Sequence, residues 1–391
     1  MISFENALTT VLSHASSWGT ERVTLLDSQN RILAEDIFSD MDMPPFDKSA
    51  VDGFACRMAD ILGPPLTVVE TIPAGMVPGK TVGPGQCSRI MTGAMVPAGA
   101  DCVIMVEDTV PEGEDSIRFT QEKTGKNICY RGEDVRKGTL VIPSGTQIKT
   151  SHIAVMASVG TVMPLVSKRA RIAIISTGDE LVEPDQAPGT AQIRNSNACQ
   201  LIAQVSSVPA IPINLGIVRD DQEALRKILI HAFETADLVI LTGGVSMGDF
   251  DYVPAIMKEI GVEILFKSIA IQPGKPTVFG RKGNQFVFGL PGNPVSSFVL
   301  FEMLVKPFLL ASMGCKERPI QFRLPMGTDF KRRKSGRKSV IPVRIAENAV
   351  FPADYHGSAH IHAYTIADGW ISMEADETEI RKGEWIDVRP I

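Results

Sequence analysis

The 391-residue chain has no surplus of positive charge: 39 Lys and Arg stand against 45 Asp and Glu, a formal net charge of −6. Proteins that bind nucleic acid generally neutralise phosphates with a basic stripe, so nucleic acid is not an expected partner. Any anionic ligand must be caught by local groups. Cysteine is scarce, with six residues (Cys56, Cys87, Cys102, Cys129, Cys199 and Cys315) scattered singly. No Cys-x-x-Cys pair suggests zinc or a redox couple, and reduced structural thiols are expected. The first residues, Met-Ile-Ser-Phe-Glu-Asn, lack a basic segment followed by an apolar one. A signal peptide is therefore not expected, and a cytoplasmic location is. The longest apolar stretch, Val295 to Leu310, is interrupted by Glu302 and Lys306 and reads as too short for a bilayer, hence as a buried helix with no membrane partner.

What is present is ordinary material for several domains, 44% hydrophobic and 21% charged. Phe4, Ala7, Leu8, Val11 and Leu12 recur at helical spacing, so Ile2 to Ser17 should hold a short amphipathic helix. From about Glu21 to Val166, short β-branched runs alternate with Gly and Pro turns, which predicts a β-rich, loop-rich region. At Arg171 the texture changes. Ile172 to Ile175 form an apolar run of the buried parallel type, followed by a Gly turn and helical spacing from near Asn197. The unit repeats with a helix from Asp221 to about Thr235 and a strand at Leu238 to Leu241. It repeats again with Val287-Phe288 entering Leu290-Pro291-Gly292-Asn293-Pro294, where Asn293 suits a helix cap and Pro294 the first turn. This alternation predicts an α/β sandwich over about 167 to 318, and the short strands after Pro319 predict a small β-barrel-like end domain.

Ligands of an open parallel α/β sheet bind beyond the carboxyl ends of its strands. Three loops there carry chemistry: Ser176 to Glu180, Thr242 to Asp251, and Leu290 to Ser297. Gly243 and Gly244 allow backbone N–H groups to approach a phosphate, although most such Gly pairs are merely turns, and no Walker-type Gly-Lys-Ser/Thr follows. Glu180 and Asp251 would repel a bare phosphate unless a hard cation lay between, and Mg²⁺ favours one or two carboxylates with phosphate oxygens. As single loops, these acids are equally solvated residues or caps. Lys275, between Pro273-Gly274 and Pro276, is either a fixed oxyanion anchor or simply exposed. Lys331-Arg332-Arg333-Lys334 with Arg337-Lys338 reads as a solvated loop, with anion binding the alternative. His356, His360 and His362 invite a metal reading, with His360 and His362 on one face of a strand, but no Cys or carboxylate nearby completes a zinc set. Met91, Met95 and Met105 read as packing residues.

Eight stretches in order carry a resemblance: Ser49 to Ala55, Arg89 to Ala94, Arg131 to Asp134, Ser176 to Leu181, Arg194 to Asn197, Gly243 to Asp251, Pro273 to Pro276 and Pro291 to Ser296. They look like the successive signatures of the molybdopterin molybdenumtransferase family, that of MoeA and the gephyrin E-domain. The resemblance implies an α/β multidomain chain: a discontinuous first domain (21–38 and 138–166), a β-rich inserted domain (39–137), an α/β/α molybdopterin-binding domain (1–20 and 167–318) and a C-terminal β-barrel (319–391). It also implies a homodimer whose cleft unites Asp52, Thr92 and Asp134 with the sandwich loops.

Roles carried over by position put Mg²⁺ on Glu180 and Asp251, and the adenylylated pterin on Ser176, Asp220, Gly243, Gly244, Ser246, Pro291 and Pro294. Molybdate falls to Lys275, Ser296, Arg337 and Ser358, and Asp52, Thr92, Asp134 and Lys275 are the catalytic set. The implied reaction moves molybdenum from molybdate to adenylyl-molybdopterin with release of AMP. Molybdopterin adenylyltransferase stands upstream as a partner, and apo-molybdoenzymes or their chaperones downstream. A non-catalytic molybdopterin-binding scaffold and a molybdopterin adenylyltransferase are the competing readings. One departure is visible: where the family often has Lys before Pro-Gly, this chain has Gln272, one positive charge fewer beside molybdate.

Overall fold

A strand with no polar face must be covered on both sides. Arg171–Thr177 (β1) meets that demand, for every residue after Arg171 is buried. The computed structural model describes residues 1–245, 252–317, 319–332 and 336–391. β1 joins Ile211–Val218 (β2), Leu238–Thr242 (β3), Glu263–Phe266 (β4), Val278–Lys282 (β5) and Gln285–Leu290 (β6) in a sheet of order β2-β1-β3-β6-β5-β4. The first four strands in that order are parallel; β5 runs antiparallel to β6 and β4 antiparallel to β5, two additions that the apolar runs did not announce.

Alternate residues of these strands feed two layers. Ile172, Ile174, Leu238 and Ile240 pack with Phe4 and Val11 of helix Phe4–Ser13, Leu201 and Val205 of Ser196–Ser206, and Phe308. Ala173, Ile175, Val239 and Leu241 pack with Leu225 and Leu229 of Gln222–Thr235 and with Ile256 and Met257 of Val253–Glu259. The result is an α/β/α sandwich, to which each fully buried Ile or Leu contributes about 2 kcal/mol. Asp221 caps its helix as expected, accepting from Ala224 N at 2.8 Å.

The helical run Pro294–Ser312 is 19 residues long, not too short for a bilayer as the apolar stretch suggested, because it continues through a π-helical segment at Phe301–Val305. By length and composition it passes as a membrane span, but 72% of it is buried inside the protein, so it is a core helix.

The C-terminal strands are Phe322–Pro325 (β7), Lys338–Ala346 (β8), Ala349–Pro352 (β9), Gly369–Met373 (β10) and Trp385–Pro390 (β11), paired in the order β9-β8-β10-β11-β7. The bridge Met326↔Val350, with Gly327 N donating to Val350 O at 2.8 Å, joins the two ends and closes the barrel. Ile271–Gln272 extends β8 in parallel, in register with Lys338 and Ser339. Sandwich and barrel belong to one compact unit of residues 1–35, 144–150 and 163–391.

A second unit comprises residues 36–143 and 151–162. Its sheet pairs Cys102–Met105, Gly53–Cys56, Gln86–Ile90, Leu66–Ile72, Ser116–Phe119 and Thr109–Pro111 in that order. The β-rich reading missed one helix, Thr150–Ser158, whose Ile153 and Val155 mimic a strand although only Met156 is buried.

Candidate functional site

Beyond the carboxyl ends of β1, β3 and β6, their loops wall a cavity of about 390 Å³ lined by Ser176, Glu180, Asp220, Gly243, Gly244 and Pro291. Backbone crowding explains the glycines. A Cβ on Gly243 (φ +97°) would sit 2.4 Å from Thr177 O, and one on Gly244 (φ +61°) 2.9 Å from Val253 Cγ2. Gly243 does not offer its N–H to a ligand, because it donates to Leu290 O at 3.0 Å. What it supplies is room. Asn197 stitches two of the loops, its Nδ2 donating to Thr242 Oγ1 at 3.1 Å and to Gly292 O at 2.6 Å. Ser176 Oγ donates to Asn195 Oδ1 at 2.9 Å, which fixes the end of β1 against the following helix.

The cavity wall fits a hard cation with phosphate oxygens. Glu180 has no cationic partner among the described residues, and the buried Thr177 Oγ1 and Asn197 Oδ1, on residues lining the same wall, have no hydrogen-bond partner. Donors of this kind, a carboxylate with neutral oxygens, are the set Mg²⁺ prefers. Asp251, the second expected ligand, and Ser246 lie outside the described residues.

A second cavity of about 240 Å³ adjoins the first, sharing Pro276, Pro291 and Asn293 with it. Lys275, Ser296, Arg337 and Ser358 all line it, together with Gln272 and Tyr355. Two chain regions more than forty residues apart thus supply one ammonium, one guanidinium, two serine hydroxyls and a phenol and, among the described lining residues, no carboxylate. That is the chemistry of an oxyanion pocket. Ser358 is tied to the sandwich by Asn293 Nδ2, which donates to its Oγ at 2.9 Å. Arg337 Nη2 approaches Gln272 Oε1 at 3.5 Å.

The remaining expected residues fall elsewhere. Pro294 opens its helix and lines neither cavity. Asp52, Thr92 and Asp134 belong to the second unit. There Asp52 Oδ1 accepts from Thr92 N at 2.6 Å and from Thr92 Oγ1 at 2.8 Å, and these bonds hold its carboxyl below the usual range. No hydrogen bond joins Asp134 to either among the described residues. Thr177, Asn197, Asn293 and Tyr355 were not singled out as site residues. The first three lie inside the motif loops, whereas Tyr355 carried no sequence signal.

Of the basic cluster, Arg333 and Lys334 lie outside the described residues; Lys331 is exposed and pairs with Glu379 at 2.9 Å, whereas Lys338 is held by Glu5 at 3.0 Å and Glu374 at 2.6 Å. His360 and His362 share no strand face, because Ile361–Thr365 is a 3₁₀ turn. His360 instead stacks on His356 with centroids 5.1 Å apart, and a carboxylate is nearby, Asp354 Oδ1 lying 3.2 Å from His356 Nε2. No group of three or more metal-binding side chains is assembled among the described residues.

An α/β/α sandwich with a loaded carboxyl edge, joined to a closed barrel that completes a cationic pocket beside it, is the architecture of a multidomain transferase of molybdenum cofactor biosynthesis. The chain belongs to the MoeA family of molybdopterin molybdenumtransferases, transferases of molybdenum cofactor biosynthesis. Residues 2–160 match the MoeA N-terminal region (domain I and II), 173–311 the probable molybdopterin binding domain and 323–391 the MoeA C-terminal region (domain IV). Molybdopterin molybdenumtransferase of Bacillus subtilis (strain 168) is 38% identical over 318 residues, covering 79% of this chain and 74% of the relative. That of Staphylococcus aureus (strain N315) is 34% identical over 401 residues, covering 99% and 95%. A crystal structure of the molybdopterin biosynthesis MoeA protein from Pyrococcus horikoshii OT3 is similar over the whole of both chains, with a TM-score of 0.86 at 28% identity.

Proposed function

We propose that this chain transfers molybdenum from molybdate to adenylyl-molybdopterin and releases AMP, with Mg²⁺ required. The observation that supports this most directly is the shared wall: Pro276, Pro291 and Asn293 separate a nucleotide-type cavity from an oxyanion pocket. The adenylyl end rests among Ser176, Asp220, Gly244 and Glu180. Molybdate, a dianion, is held by Lys275 and Arg337 with hydroxyl donors from Ser296 and Ser358, close to the dithiolene sulfurs.

Glu180 and Asp251 would hold Mg²⁺, which neutralises charge on the phosphate oxygens when bound. Asp52, its carboxylate fixed by two hydrogen bonds from Thr92, or Asp134 orients or deprotonates the water that enters as the pyrophosphate bond opens. In this reading the chain acts as a cytoplasmic homodimer, fed by a molybdopterin adenylyltransferase and emptied by apo-molybdoenzymes or their chaperones. Incubation with adenylyl-molybdopterin, molybdate and Mg²⁺ tests it. AMP release that depends on molybdate and Mg²⁺ is expected, and absence of AMP at every molybdate concentration would overturn the proposal.

A further inference from the structure

Arg337 reaches the oxyanion pocket from the residue just before β8, and its tip is held loosely. Its Nη1 lies 3.5 Å from Ile271 O and its Nη2 3.5 Å from Gln272 Oε1, both at the outer limit of a hydrogen bond. Where the guanidinium sits therefore depends on how firmly the backbone beneath it is placed.

That placement converges on a second arginine. Arg332 follows the short strand Phe330–Lys331, and its backbone N–H donates to Thr378 O at 3.1 Å. Its Nη1 donates to Arg337 O at 2.7 Å and to Ser339 Oγ at 3.0 Å. Its Nη2 donates to Glu374 O at 2.7 Å and to Ala375 O at 2.6 Å. The N–H groups of both terminal nitrogens are thus committed to four acceptors, a planar fork that a lysine ammonium does not offer. Ala375 O also accepts from Gly336 N at 2.7 Å, so Gly336 and Arg337 are tied to the same segment of chain.

Arg332 does not line the oxyanion pocket. It lines an adjoining cavity of about 560 Å³, which shares Gln272, Arg337, Tyr355 and Gly357 with the pocket. Its acceptors are three carbonyls and a hydroxyl, all neutral. The Glu374 carboxylate is taken by Lys338 at 2.6 Å, and no carboxylate among the described residues pairs with Arg332. A charged cross-link between neutral groups is a costly way to fasten a strand, the more so because its Nε is buried without a partner. Beside a pocket for a dianion, however, the uncancelled charge adds to the positive potential.

We infer that Arg332 is a positioning residue for the oxyanion pocket, fixing the backbone from which Arg337 reaches the anion. The inference rests on the proposed reading of that pocket as the molybdate site.

Equilibrium dialysis of the full chain against molybdate alone tests it. Arg332→Lys keeps the charge but cannot span four acceptors, so the molybdate Kd should rise about tenfold. Ser339→Ala cuts one of the four bonds and should raise it about threefold. Arg337→Gln should weaken binding in its own right, and in that background Arg332→Lys should add less than about twofold, because it acts through Arg337. A general loss of stability would weaken binding equally in both backgrounds, so the coupling separates positioning from a merely structural role. Melting temperatures show which variants fold; if Arg332→Lys does not, the cycle of Ser339→Ala with Arg337→Gln reads the same coupling. Additive effects, or a Kd unmoved by Arg332→Lys, would overturn the inference. So would a wild-type chain that binds no molybdate. Failure of the proposed function alone reads differently: the wild type would release no AMP, while molybdate binding and the coupling persisted and the inference stood.

Discussion

Asn293 stands at the cap position of the helix that begins at Pro294, yet its side-chain amide donates to Ser358 Oγ at 2.9 Å instead of capping the helix. The Ser358 carbonyl takes over that task, accepting from Val295 N at 3.1 Å. The exchange locks a barrel loop onto the sandwich at the wall between two cavities. Asn293→Ala should raise the KM for molybdate about fivefold, as expected for roughly 1 kcal/mol of lost hydrogen bonding. The kcat should stay near wild type. A changed melting temperature with an unmoved KM would reduce Asn293 to a structural role.

Gln272 leaves the oxyanion pocket with two cationic side chains, Lys275 and Arg337, among its described lining residues. Gln272→Lys adds a third, so it should lower the molybdate concentration at half-maximal AMP release, more strongly at low ionic strength. An unchanged molybdate dependence at low salt would remove this idea.

Glu180 is the only described carboxylate of the expected metal pair. Glu180→Gln keeps its size and removes its charge, so AMP release should fall at least about a hundredfold, with partial recovery at high Mg²⁺. Titrating Mg²⁺ in both proteins checks this; identical half-saturating concentrations would detach Glu180 from the metal.

At Gly243 the backbone is left-handed and an added Cβ would lie 2.4 Å from a carbonyl oxygen. Gly243→Ala should therefore cost about 3 kcal/mol or more of stability, through strain and a displaced loop. Chemical denaturation measures the loss. A stability within error of wild type would mean that the turn relaxes freely.

Two hydrogen bonds from Thr92 depress the Asp52 pKa. The native state thus favours the ionised carboxyl, and that contribution, present above the pKa of the unfolded chain, is lost as pH falls through the lower folded value. Thr92→Val removes the hydroxyl bond and should move the Asp52 titration upward, toward the ordinary carboxylate value near about 3.9. Carbon NMR of the carboxyl reads this directly. If Asp52 is the base, the acid limb of the AMP-release profile should move up with it.

The α/β half of the fold was legible where its strands have no polar face and where Asp221 caps its helix, whereas the half-exposed β2 carried no such signal. Ile172 to Ile175, Asp221 and Leu238 to Leu241 fell where expected. The antiparallel strands β4 and β5 were not visible. Glu263-Ile264-Leu265-Phe266 and Val278-Phe279-Gly280 are too short to be told from loop, and their pairing is decided by the sheet edge they complete. Site loops were legible as motifs, but their detailed chemistry was not. That Gly243 spends its N–H on Leu290, or that Tyr355 lines two cavities, depends on contacts between segments far apart in the chain.

Gln272 and Arg337 border the same pocket from two chain segments that are laced together: Ile271–Gln272 lies in register with Lys338 and Ser339, and Lys338 N donates to Ala270 O at 2.9 Å. The pocket's width is therefore set by a backbone ladder, not by side chains that can swing apart. A cage of fixed bore sorts its guests by radius and charge. Two tetrahedral dianions of nearly equal size would compete on nearly equal terms for this one, and choosing between them would fall to the chemistry of the sulfurs.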